Sequence, residues 1–90
     1  MSIPAVQVYT WSNCPYCVLA KNLLAEKGVN FQEINLDGKD RELKELRERT
    51  GMRTVPQIFI ADKLIGGFQD LAALDVKGEL DQMLGGEGTV

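Results

Sequence analysis

The chain has 90 residues, 44% of them apolar, with 13 acidic against 10 basic side chains and a net charge of −3. That length implies one domain, residues 1–90, with a single modest core, and the missing basic surplus argues against general nucleic-acid binding, because nothing is available to neutralise phosphates. Met1-Ser2-Ile3-Pro4 lacks the charged and apolar regions of a signal peptide, and no apolar run reaches membrane-spanning length, so a cytoplasmic protein with no membrane partner is expected.

In chain order, Ala5-Val6-Gln7-Val8-Tyr9-Thr10 is a β-branched and aromatic run that reads as a strand, ended by the turn formers Trp11-Ser12-Asn13. A helix follows at once. Pro15 suits its first turn, Val18, Leu19, Leu23 and Leu24 recur at helical spacing, and Gly28 stops it. Val29 to Leu36 alternates with period two and reads as a second strand, closed by Asp37-Gly38. From Lys39 to Arg49 nearly every residue is charged except Leu43 and Leu46. Mixed signs and the i,i+4 pairs Asp40/Lys44 and Glu45/Arg49 mark a solvated helix held down by two leucines. Gln57-Ile58-Phe59-Ile60 and Lys63-Leu64-Ile65 flank Ala61-Asp62 as a tight hairpin. Gly66-Gly67 then opens a last helical stretch through Leu71 and Leu74 toward Leu80 and Leu84, with a break between Asp75 and Gly78. The ordered core is expected to span about 5–84, and 85–90 to form a flexible tail.

Strand, helix, strand, helix, strand, strand, helix is an α/β order. A β-helix-β unit needs a right-handed crossover between parallel strands, and the short third connection forces an antiparallel pair. The expected fold is therefore a four-stranded mixed sheet with helices on both faces.

Both cysteines lie in Cys14-Pro15-Tyr16-Cys17, between the first strand and the first helix. A permanent bridge across so short a loop would restrict the unfolded chain little, so a structural staple is a poor explanation. At a helix start, the first sulfur faces unpaired N–H groups and the positive end of the dipole, which favour thiolate over thiol. The second sulfur faces the same side one turn on. Lys21 lies a further turn along that face; a solvated helix lysine is favoured over a charge partner for the cysteines. Two cysteines and no histidine do not complete a tetrahedral zinc site within one chain, so no metal is expected.

With Tyr9-Thr10, Cys14-Pro15-Tyr16-Cys17, Thr54-Val55-Pro56-Gln57, and Gly66-Gly67 ahead of Asp70, the chain resembles the dithiol glutaredoxins of the thioredoxin-fold superfamily over nearly all of residues 5 to 84. The resemblance implies a glutathione-dependent thiol-disulfide oxidoreductase, with glutathione as reducing co-substrate, no bound cofactor, and glutathionylated or disulfide-containing client proteins. It implies a monomer. Cys14 would be the nucleophile and Cys17 the resolving thiol. The family pattern also implies a cis Val55-Pro56 bond, with Thr54 and Val55 set against the cysteinyl backbone of glutathione. Gly67, Phe68 and Gln69 would meet its γ-glutamyl carboxylate at a helix N-terminus, and Asp70 its amino group. Tyr16 would shape the entrance.

Two positions depart from the family pattern. Trp11 stands where many members carry a lysine for the glycyl carboxylate; Arg53 and Gln57 are expected to replace that cation, and Trp11 itself reads equally as a half-exposed aromatic or a substrate contact. Phe68 and Gln69 replace smaller or acidic residues. The competing readings are a glutaredoxin-like protein reduced by thioredoxin reductase, and a dimer holding an iron–sulfur cluster with glutathione.

Overall fold

A computed structural model describes residues 4–84, so the expected tail at 85–90 lies outside the described residues. The elements are β1 (Val6–Thr10), α1 (Pro15–Glu26), β2 (Gln32–Asn35), α2 (Asp40–Thr50), β3 (Gln57–Ile60), β4 (Lys63–Gly66), α3 (Phe68–Val76) and α4 (Glu79–Met83). The sheet order is β2-β1-β3-β4. β1 runs parallel to β2 and antiparallel to β3, and β3 runs antiparallel to β4. This is the four-stranded mixed sheet that the element order predicts.

Alternation along β1 and β3 divides the core. Val6, Val8, Ile58 and Ile60 face one side, packed with Ala20 and Leu24 of α1, Leu71 of α3 and Leu80 of α4. Phe59 faces the other side with Leu46 of α2, Leu36 and Val55, joined by Tyr9, Ile34 and Leu64. Helices thus cover both faces. The Ala61-Asp62 turn has positive φ at both residues (52° and 65°), the geometry whose twist suits a two-residue hairpin.

Three details differ from the sequence reading. Val29 to Phe31 are not strand: Val29 N–H bonds back to Leu24 O (3.1 Å) around Gly28, so this residue closes α1 and the second strand starts later, at Gln32. Neither Asp40/Lys44 nor Glu45/Arg49 appears among the ion pairs of the described residues. Arg49 instead lies 5.2 Å from the centre of the Phe59 ring, while α2 is held by buried Leu46, each such side chain contributing about 2 kcal/mol. Lys21 pairs with Glu33 of β2 at 3.1 Å, so it is neither free nor primarily a partner of the cysteines. The break expected near Asp75–Gly78 falls between α3 and α4, where Lys27 from the end of α1 bridges Asp75 and Asp81. No helix of the described residues is long and apolar enough to cross a membrane.

Candidate active site

Cys14 is the N-cap of α1, with extended backbone (φ −132°, ψ 99°) and Pro15 in the first turn. Its sulfur fills the role that an oxygen takes in an ordinary cap, accepting the Cys17 N–H at 3.2 Å. The same Sγ lies 3.6 Å from Val55 O, within reach of a thiol hydrogen bond. Both cysteines are free, and they differ in access: Cys14 is half-buried, Cys17 only 1% exposed.

Burial pushes the Cys17 thiol from an ordinary 9.0 up to about 12, with a further rise from its hydrogen bond to Cys14, against a smaller lowering by the Trp11 backbone. This difference has a sign that can be measured. An unfolded chain ionises Cys17 near pH 9.0, whereas the fold keeps it protonated to about 12, so its contribution to stability is intact below 9 and is lost as pH rises toward 12. Urea unfolding of the reduced protein should therefore show wild type losing about 1 kcal/mol relative to Cys17→Ser between pH 8 and 10. A constant difference across that range would contradict the assignment.

The loop before Cys14 is tied to the end of β2. Asp37 accepts the Ser12 N–H at 3.1 Å with one carboxylate oxygen and the Ser12 hydroxyl with the other. Asn35 Nδ2 donates to Ser12 Oγ at 3.3 Å, and Asp37 N–H returns to Asn35 Oδ1 at 2.8 Å. The Ser12 hydroxyl bond is also what holds the Asp37 carboxyl below its usual range. The sequence reading took Asp37 only as a strand terminator; its pairing with Ser12 joins residues 25 positions apart and leaves no local signal.

Beside Cys14 opens a cleft of about 170 Å³. One wall is Met52, Thr54, Val55 and Pro56, with the Val55-Pro56 bond cis; the other is Gly67, Phe68, Gln69 and Asp70, and Tyr16 closes one end. Tyr16 and Phe68 stack across it, ring centres 6.2 Å apart and planes 29° from parallel. Gly67 is the N-cap of α3, and its N–H donates to Asp70 Oδ2 at 2.9 Å. Asp70 therefore spends one oxygen on the helix start and keeps the other for the cleft.

Of the residues expected to contact glutathione, Tyr16, Thr54, Val55, Pro56, Gly67, Phe68, Gln69 and Asp70 line this cleft, and Trp11, Arg53 and Gln57 do not. Trp11 follows the alternation of β1 onto the side opposite Val8 and Thr10, and packs with the Phe59 cluster beside both cysteines. Gln57 is fully buried, and its amide is bonded to the protein, donating to Met52 O and Thr54 O. As the first residue of β3 it points inward with Phe59, which removes it from the candidate ligand contacts. Arg53 is exposed between the wall residues Met52 and Thr54. Met52 was not anticipated; an apolar side chain just after the helix stop at Gly51 was the available signal.

Comparison with known proteins decides the family. The glutaredoxin family model matches residues 6–65, and glutaredoxin 3 of Escherichia coli K12 is 52% identical over 79 residues, covering 88% of this chain and 95% of that one. The chain belongs to the glutaredoxin family. A glutaredoxin of Pseudomonas aeruginosa is 50% identical over 82 residues, covering 91% and 98%. Among solved structures, a buckwheat glutaredoxin–glutathione complex superposes with a TM-score of 0.87 at 33% identity, covering 97% of this chain and 82% of that one. The solution structure of a Brucella melitensis glutaredoxin gives 0.85 at 44%, covering 97% and 95%. The present glutaredoxin thus has the family's thioredoxin fold and its glutathione-dependent thiol-disulfide oxidoreductase activity, with two cysteines available for it.

Proposed function

We propose that Cys14 is the nucleophile, Cys17 the resolving thiol, and the adjoining cleft the seat of the glutathionyl group. The observation that carries this is the position of Cys14 Sγ: it caps α1 through the Cys17 N–H at 3.2 Å and stands 3.6 Å from the carbonyl oxygen of Val55, a residue that lines the cleft. As the N-cap, the sulfur faces the backbone N–H groups of the helix start. The Cys14 thiolate attacks the glutathionyl sulfur of a mixed disulfide; the old S–S bond breaks and the client leaves as a thiolate that takes up a proton. The thiolate of a second glutathione then attacks the glutathionyl sulfur on Cys14, releasing glutathione disulfide and restoring the Cys14 thiolate. On a protein disulfide, Cys14 forms the mixed disulfide and deprotonated Cys17 attacks Cys14, so that the client leaves reduced and the Cys14–Cys17 bond is made. Burial of Cys17 suits this order, because a protonated thiol waits while Cys14 reacts first.

In the buckwheat protein the bound ligand is glutathione, and the same chemistry fits the cleft described above. Its second wall offers the start of α3 and the free oxygen of Asp70 to an amino-acid head group. The extended backbone of Val55 offers strand-like pairing to a peptide. Clients are then glutathionylated or disulfide-containing proteins, and the working unit is a cytoplasmic monomer. A coupled assay with glutathione, glutathione reductase and a glutathionylated peptide tests the reading; turnover with thioredoxin reductase and none with glutathione would overturn it.

The cleft walls carry an acid and no base. The glycyl carboxylate therefore needs a cation from the rim, and Arg53, exposed between two wall residues, is the group we assign. Arg53→Ala should weaken glutathione use by about 1 to 3 kcal/mol, read as a raised KM with kcat kept. An unchanged KM would remove Arg53 from the site.

A further inference from the structure

Gln57 is a polar side chain with no exposure, placed directly behind one wall of the cleft. Its Nε2 donates to Met52 O at 3.2 Å and to Thr54 O at 3.0 Å, and its Oε1 lies 2.9 Å from Thr50 Oγ1. That hydroxyl oxygen accepts the Met52 N–H at 3.1 Å, and its one proton is shared between Gln57 Oε1 and Leu46 O at 3.0 Å. Among the described residues, the backbone bonds of the turns use neither the Met52 nor the Thr54 carbonyl. One buried amide and one hydroxyl thus make the buried side-chain bonds of the segment from the end of α2 to the start of β3, while Arg47 Nε donates to Arg53 O at 3.0 Å on its exposed side. Burying an amide at full depth costs free energy unless each of its groups is partnered, and here each one is.

The segment so held carries Met52, Thr54, Val55 and Pro56, which make up one entire wall. Cys14 touches this segment through its Sγ, 3.6 Å from Val55 O, but its position is set elsewhere: its cap belongs to α1, and its loop is tied to Asp37. We propose that Gln57 is a positioning residue of the reaction, acting through the Met52 and Thr54 carbonyls to set the spacing of the cleft that takes the glutathionyl group, separately from the reactivity of Cys14. This rests on the reading of the cleft given above. An amide is suited to the task because its two N–H groups serve two carbonyls at once while its oxygen meets a hydroxyl, a combination that a methionine of similar length cannot provide.

The test compares Gln57→Met, Thr50→Val and Thr50→Ser by steady-state kinetics with a glutathionylated peptide, and by the rate at which iodoacetamide alkylates Cys14. Gln57→Met should raise KM about tenfold, with kcat and the alkylation rate within roughly twofold of wild type. Thr50→Val should move KM in the same direction, Thr50→Ser should keep the wild-type value, and the Gln57→Met/Thr50→Val pair should be less than additive. A folded Gln57→Met protein with unchanged KM, or with KM unchanged while alkylation slows, overturns the proposal. Should Gln57→Met fail to fold, the contrast between Thr50→Val and Thr50→Ser decides alone. Absence of turnover in wild type would overturn the cleft reading and this one with it, whereas normal wild-type turnover with indifferent variants overturns only the role of Gln57.

Discussion

Cys14→Ser should reduce turnover of a glutathionylated peptide to that of an assay without the protein, while Cys17→Ser should retain part of it. A serine hydroxyl at the N-cap keeps the cap itself, since serine is a favoured residue there, so the fold is expected to survive and the loss to be chemical. What disappears is the sulfur that can exchange with a disulfide. Cys17→Ser removes only the internal exit. Mixed disulfides with glutathione are still resolved by a second glutathione from solution, but a client disulfide attacked by Cys14 has no neighbouring thiol to complete the exchange. The two variants should therefore separate by substrate: Cys17→Ser active on the glutathionylated peptide and strongly impaired on a protein disulfide, Cys14→Ser inactive on both. Activity in Cys14→Ser would end the assignment of roles.

Gly66→Ala should destabilise the protein by about 2 to 4 kcal/mol and raise KM for the glutathionylated substrate. Two costs add. Gly66 has φ of 123°, where an alanine is strained, and a Cβ there would fall on the Asp70 carboxylate, with its Cγ only 2.8 Å away. Asp70 would have to swing out, giving up its bond to the Gly67 N–H and uncapping α3 at the wall of the cleft. Gly67→Ala is the control. Its φ is an ordinary −93°, and its Cβ would meet Pro56 O at 3.6 Å and Met52 Cε at 4.0 Å, normal packing distances. The loss of stability there should be at most about 1 kcal/mol, the cost of alanine against glycine at an N-cap, although the added methyl narrows the cleft. Equal loss of stability in the two variants by chemical denaturation would contradict this account of the paired glycines.

Most of the architecture was legible because it depends on local periodicity. The β1 and β3 alternation, the leucines of α2 and the stops at Gly28 and Gly51 each state their own element, and the short Ala61-Asp62 link fixes the direction of its strands. Val29 was misread because alternation at a strand start and a helix-closing residue look alike until the Leu24 carbonyl finds its partner. In the cleft, the residues that the family resemblance brought together do lie together, apart from Trp11, Arg53 and Gln57. Gln57 shows why: a side chain that approaches a site from behind has the same neighbours in sequence as one that faces it, and only burial tells them apart. Ser12 and Asp37 escaped notice for a related reason, meeting just beyond the ends of the paired strands β1 and β2 rather than along the chain.

Trp11 is the only tryptophan in the chain, and it packs in the same cluster as Cys14 and Cys17. A position that breaks the family's usual charge pattern thus places a single indole in the cluster that holds both cysteines. Excited at the red edge of its absorption, where the two tyrosines do not absorb, indole emission reports that ring alone. Stopped-flow mixing with glutathione disulfide or with a client can follow the oxidising and reducing half-reactions separately, in the unlabelled wild-type protein, at the position where the sulfurs exchange partners.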